Sequence, residues 1–246
     1  MIVYVYDGTF PGLLTSIYEA YYRDEKPERI SKTWDFQNNL FSKPIIINTD
    51  DEKADKVYNA IGEKISFNAL KNIYYAFLAE IKNSDTLIYN YVRLGFKLGK
   101  IVDGNYSNET VFKFQEICKK VGKEKHRVLG IMRFRLLQKK IYYGPIEPDH
   151  NIIALLAPHF AKRMADQDWI IHDLRRKIAI VYNQSEWVMT DLEINNPLLF
   201  DAEEMIYQSV WKKYFEKIAI KERKNTRLQK QCMPSRYWKH LVEIYY

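Results

Sequence analysis

The chain has 246 residues, 47% of them apolar and 28% charged, and a formal net charge of +7. That length can bury a substantial core in one or two domains, and the proportions are those of a globular protein. Two cysteines without a CxxC spacing argue against a disulfide scaffold, a zinc ribbon or an iron–sulfur cluster, and no apolar run is long enough to span a membrane.

The opening residues, MIVYVY, form a short β-rich run that stops at Asp7 and has no basic leader, so no secretory signal is expected and the protein is read as cytoplasmic. Asp7-Gly8 turns the chain, Thr9 caps, and Leu13, Leu14, Ile17, Tyr18 and Tyr21 make the apolar stripe of a helix. Glycines at 8 and 12 after a strand invite a phosphate-loop reading. The spacing fits neither GxGxxG nor GxxxxGK[ST], so a structural turn is preferred. Residues 30–36 and 44–48 are expected as two further strands. From Asp51 the period becomes helical, giving a block over about 51–122 with stripes such as Val57, Ile61, Ile65 and Val111, Phe114, Cys118. Asp85 and Ser107 are the expected caps of its last two helices, and Cys118 is expected in the core.

The residues from Lys119 to Lys140 hold nine Lys or Arg against Glu124, a local charge of +8. Gly122 reads as the glycine after a helix end, with Lys119 and Lys120 in the last turn. From Leu129 the pattern alternates, which predicts a half-buried strand presenting Arg133 and Arg135 on its open face. A second concentration, Lys221 to Lys239, carries +6, so the rest of the chain sums to −7. Localised positive charge on an acidic body suits a polyanion, above all nucleic acid, although two solvated faces would look alike. The expected binding residues are Lys125, Arg127, Arg133, Arg135, Lys139, Arg227, Lys230, Arg236 and Lys239. The two segments are expected to converge on a cationic cleft lined by Arg133, Arg135, Arg227, Lys230 and Arg236.

Between these segments, Gly144-Pro145 is read as ending a hairpin and Pro148-Asp149 as opening a helix over Asn151–Ala165. Strands are expected at 169–172, 178–182 and 187–190, and a loop at Asn195-Asn196-Pro197. Asp201 and Glu204 form a candidate capping box for a helix carrying Tyr207, Trp211, Tyr214 and Ile218. Pro234 starts a last short helix through Tyr237 and Trp238. His150 and His159, nine apart on one helix, would lie on opposite faces, and zinc-type spacings are missing, so neither metal nor cofactor is expected. His172-Asp173 and Asp149-His150 are the candidate acid–base groups. Neighbours on a strand point to opposite faces, and a capped turn plus a half-buried histidine is the preferred reading.

Three quoted stretches carry a resemblance: HRVLGIMRF, EPDHNIIALLAPHFAKRMADQDWIIHDLRRKIAIVYN and RKNTRLQKQCMPSRYWKHLVE. With the opening VYDGTFPGLLTSIYEAY, they resemble an uncharacterised bacterial family labelled as DNA metabolism or DNA repair proteins. The resemblance implies a gene neighbour, a radical-SAM protein similar to spore photoproduct lyase, and related domains fused to uracil-DNA glycosylases. It brings no catalytic residues. Residues 1–246 are read as one α+β domain: a mainly antiparallel sheet from the N-terminal strand and the strands after 128, the helical sub-region about 51–122, and a basic C-terminal segment 221–246. The leading functional expectation is a DNA-binding accessory protein beside the radical-SAM enzyme. An enzyme acting on a damaged or modified base and a protein-interaction subunit are the alternatives.

Overall fold

The computed structural model describes residues 1–37, 40–194, 198–223 and 225–243; the expected loop at Asn195-Asn196-Pro197 and the cation Lys224 lie outside the described residues. The sequence reading takes residues 1–246 together. Here they gather in two compact units, Met1–Gly122 and Lys123–Tyr246, each with its own sheet.

The first unit opens with β1 (Ile2–Tyr6), α1 (Phe10–Tyr22), β2 (Arg29–Lys32) and β3 (Lys43–Ile46). The strands are parallel, in the order β2-β1-β3. The N-terminal strand therefore does not join the antiparallel sheet. Its residues Val3 to Tyr6 are all buried, so it needs cover on both faces, which a parallel sheet with helical crossovers supplies. Gly8 turns the chain at φ 79°, where a side chain would be strained and would meet Trp34. Thr9 caps α1 by accepting from the Gly12 amide, and the Asp7 carboxylate accepts from the Thr9 amide and from the Thr9 and Thr49 hydroxyls. The turn is thus filled by its own acid rather than arranged for a phosphate.

The helical block follows as α2 (Asp51–Lys64), α3 (Phe67–Leu78), α4 (Ser84–Leu98) and α5 (Glu109–Ile131). Asp50 and Ser66 cap α2 and α3 through side-chain bonds to the Lys53 and Ala69 amides. The expected caps of the last two helices move. Asn83, left-handed at φ 67°, precedes α4, and the Asn108 side chain accepts from the Thr110 and Val111 amides at the start of α5. Ile61, Ile73, Ile88, Tyr91, Val111 and Phe114 form the core, with Tyr91 and Phe114 stacked at 3.8 Å. Cys118 is buried in it, and burial pushes its thiol up to about 12, leaving an inert core side chain.

Asp85 is buried instead of capping. Burial, opposed by the buried Lys32 ammonium and by Tyr6, raises its carboxyl from 3.8 to about 6. A carboxyl whose folded pKa is raised makes the fold less stable as pH climbs from its unfolded value to its folded one. The stability of this unit is expected to fall between about pH 4 and pH 6. An NMR titration placing the Asp85 midpoint near 4 would contradict this.

Gly122 falls inside α5, not after it: the helix runs on to Ile131. A mid-helix glycine costs only about 1 kcal/mol, and Val121, Glu124 and Val128 keep a buried stripe at helical spacing. The alternation from Leu129 is therefore helix and then connector, and the strand is only β4 (Arg135–Leu136). The turn after β4, with Lys140 at φ 58°, leads into β5 (Tyr142–Ile146), so Gly144-Pro145 lies inside a strand and not at a hairpin end.

The second unit continues with α6 (Ile153–Arg163), β6 (Asp168–Asp173), β7 (Ile178–Asn183), β8 (Trp187–Asp191), α7 (Ala202–Ile218) and α8 (Thr226–Cys232), then a 3-10 turn, Ser235–His240. His150 precedes α6 rather than sharing it with His159. The sheet order is β4-β5-β6-β7-β8, antiparallel except between β5 and β6. The fold is α+β. One face of this sheet packs on α6 through Trp169, Phe134 and Phe160.

Candidate functional site

The other face of the second sheet carries the groove. Tyr143, Pro145 and Glu147 alternate along and just beyond β5 and so share that face. Arg135 stands opposite Tyr143 in the β4–β5 register, and His172 opposite Pro145 in the β5–β6 register. β4 is two residues long, so past Tyr143 the flank of β5 is unpaired on that side. Pro145, which has no N–H to offer, is tolerated there. Lys239 and His240 of the C-terminal 3-10 turn close this side, while Leu174, Ile194, Leu198 and Phe200 make an apolar wall. The groove is open to solvent, with a volume of about 540 Å³.

Phe200 is fixed by pairing. Its neighbour Asp201 donates its amide to the Leu136 carbonyl, Gln138 donates to the Leu199 carbonyl, and Leu137 bridges Phe200. This sets the Arg135 guanidinium 5.9 Å from the Phe200 ring centre. The buried Nε of Arg135 has no hydrogen-bond partner, and Arg135 has no ion pair among the described residues.

Glu147 accepts from Lys239 at 2.6 Å and from His240 at 3.1 Å. Burial alone would raise its carboxyl, but these partners outweigh it and hold the group below its ordinary range. His240 is lowered by burial, against the pull of Glu147, and is neutral at neutral pH. His172 is buried and also lowered by burial. Its Nε2 lies 3.1 Å from the Leu192 carbonyl, which can only accept, so Nε2 carries the proton and Nδ1 accepts from the Tyr143 hydroxyl at 2.8 Å. Burial, countered by Arg135, raises the Tyr143 phenol to about 12. The groove thus combines the Arg135 guanidinium, the Lys239–Glu147 ion pair, a neutral phenol oxygen and an aromatic face.

Of the sequence-predicted binding residues, Arg135 and Lys239 line this groove. Arg133 is held by Glu243 at 2.6 Å, its guanidinium 5.4 Å from the Trp211 ring centre. Arg236 is held by Glu124 at 3.0 Å and Asp149 at 2.6 Å. Those two guanidiniums meet acids instead of lining an open cleft with Arg135. Lys125 and Arg127 are half-buried on α5, Lys139 is exposed in the turn after β4, and Arg227 and Lys230 are exposed on α8.

The acid–base candidates separate as the strand period requires. Asp173 is fully buried on the opposite face from His172, accepting from the Arg175 and Arg176 amides and pairing with the Arg176 guanidinium at 2.9 Å. The Asp149 carboxylate pairs with Arg236, and the Asp149 and His150 amides both donate to Glu124. Among the described residues no group of three His, Cys, Asp or Glu side chains could hold a metal ion, and no helix is long and apolar enough to cross a membrane. Sequence reading missed Tyr143, Glu147, Phe200 and His240. The period-2 spacing of Tyr143, Pro145 and Glu147 was the available signal.

Residues 82–243 match the model of a family described as a domain of unknown function, DUF4130, covering α4 to the C-terminal turn and leaving β1 to α3 outside. No curated protein matches the chain.

Proposed function

Because the chain belongs to the DUF4130 family, whose description carries no activity, we propose its function from the groove: a nucleic-acid-binding accessory protein that seats a phosphate-bearing strand at Arg135. The observation that carries this is Arg135 itself. Held beside Phe200 with no ion pair among the described residues, it is a cation that no carboxylate there neutralises. Phe200 and Leu198 give a base next to that phosphate an apolar surface to lie on. In the setting that the resemblance implies, the strand is DNA under repair or modification, and the chemistry belongs to a radical-SAM partner.

Binding is favoured over catalysis because the candidate acid–base groups are already engaged. Both ring nitrogens of His172 have partners, and the Asp173 carboxylate is occupied by the following turn. The test is affinity for a fluorescent oligonucleotide as a function of salt. Binding should weaken steeply, and Arg135→Gln should lower affinity about tenfold and reduce the log–log salt slope by about 1. Salt-insensitive binding, or an unchanged slope in the variant, would count against the groove. Turnover of a modified-base oligonucleotide by the isolated chain would replace the accessory reading with the enzyme reading.

A further inference from the structure

Helix α7 presents its apolar side to solvent. The residues turned toward the body are Glu204, Gln208 and Lys212, spaced by four on one stripe, and all three are polar. Glu204 is anchored there, accepting from the Leu136 amide at 2.7 Å and from Gln208 at 2.7 Å. Outside stand Ile206, Val210, Tyr214 and Ile218, each more than half exposed, again four apart. A contiguous apolar stripe of this kind on a surface helix marks a contact.

We propose that this stripe is an isologous interface, covered by α7 of a second copy of the chain lying antiparallel, with Val210 on the two-fold axis. The charges select this occupant. Glu203 lies seven residues before Val210 and Lys217 seven after it, and seven steps return a helix to almost the same line. Antiparallel pairing about Val210 sets each residue opposite the one equally far on the other side. Glu203 then meets Lys217 of the second copy at both ends, and Ile206 meets Tyr214 twice. A parallel pair would instead oppose Glu203 to Glu203 and Lys217 to Lys217. This inference does not rest on the groove.

Sedimentation velocity on the full chain tests it. The wild type should run as a dimer, and Val210→Glu as a monomer with an unchanged far-UV spectrum. Glu203→Lys and Lys217→Glu should each raise the dissociation constant about fivefold to tenfold, since each reverses two symmetric pairs, and the double variant should return to within about twofold of the wild type. Glu203 also lies 3.6 Å from Lys140. That contact stays broken in the double variant, so recovery there can come only from the second copy. A wild type that remains monomeric, or a double variant no better than the singles, overturns the proposal. So does a monomer that binds anionic vesicles through this face.

Discussion

Replacing Glu124 by alanine should destabilise the second unit by about 3–5 kcal/mol, the range for breaking a buried ion pair from one side. Glu124 is 3% exposed and accepts from the Asp149 and His150 amides at 2.9 Å each, from the Tyr237 hydroxyl at 2.5 Å and from Arg236 at 3.0 Å. It therefore ties α5 to the segment before α6 and to the C-terminal turn. Without it, two amides, a phenol and a guanidinium lose their common acceptor, and Tm should drop by roughly 10 °C. Thermal unfolding by circular dichroism measures this; a loss under about 1 kcal/mol would show that water replaces the carboxylate.

The pH dependence has a definite sign. Burial opposes ionisation of Glu124, but Tyr237 and the two amides favour it more, and its pKa is lowered from the ordinary 4.5. A depressed carboxyl contributes stability that is present above the unfolded pKa and lost as pH falls through the folded one. Glu124→Gln should remove that part of the acid sensitivity, so wild type and variant converge as the acid limit is approached. Asp85 acts in the opposite sense in the first unit.

The second large effect is expected at Trp169, which is fully buried, stacked on Tyr182 at 4.9 Å and edge-on to Phe134 and Phe160. Trp169→Ala should cost about 3–5 kcal/mol by emptying the space between the sheet and α6. Trp169→Phe should cost far less, under about 1.5 kcal/mol, because it keeps a ring there. It also removes an indole N–H that is buried without a partner. Equal losses in the two variants would mean that the indole edge, not the ring's bulk, organises this core.

Residues of β6, β7 and β8 were legible because turn-forming residues separate β-rich runs, and no competing helical period ran through them. The α5–β4 junction was not. The alternation from Leu129 begins inside the helix that carries the buried stripe Val121, Glu124 and Val128, and local pattern does not show that this helix runs on to Ile131. The helix carrying Tyr207, Trp211, Tyr214 and Ile218 was read correctly as a helix. Periodicity locates an apolar stripe but does not say which way it faces. Glu204, expected in a capping box, instead bonds to β4, and Asp201 caps alone through the Glu203 amide.

The candidate site was half legible for a related reason. Net charge along the chain picked out Arg135 and Lys239 together with Arg133 and Arg236. Two of the acids that engage the latter pair, Glu243 and Asp149, lie outside the summed stretches, and Glu124, counted in the first, pairs with Arg236 of the second. A local sum over sequence cannot see those pairings.

The shortness of β4 bears on what the C-terminal turn has to cover. By alternation from Ile146, whose carbonyl accepts from Leu174 on the β6 side, Tyr143 and Pro145 turn their backbone groups toward the side that β4 covers only as far as Tyr143. The C-terminal turn lies over the remainder, fastened by Lys239 and His240 to Glu147. Loss of the Ser235–His240 turn would bare a sheet flank able to recruit strands from other molecules. The turn is therefore expected to guard this flank against strand addition.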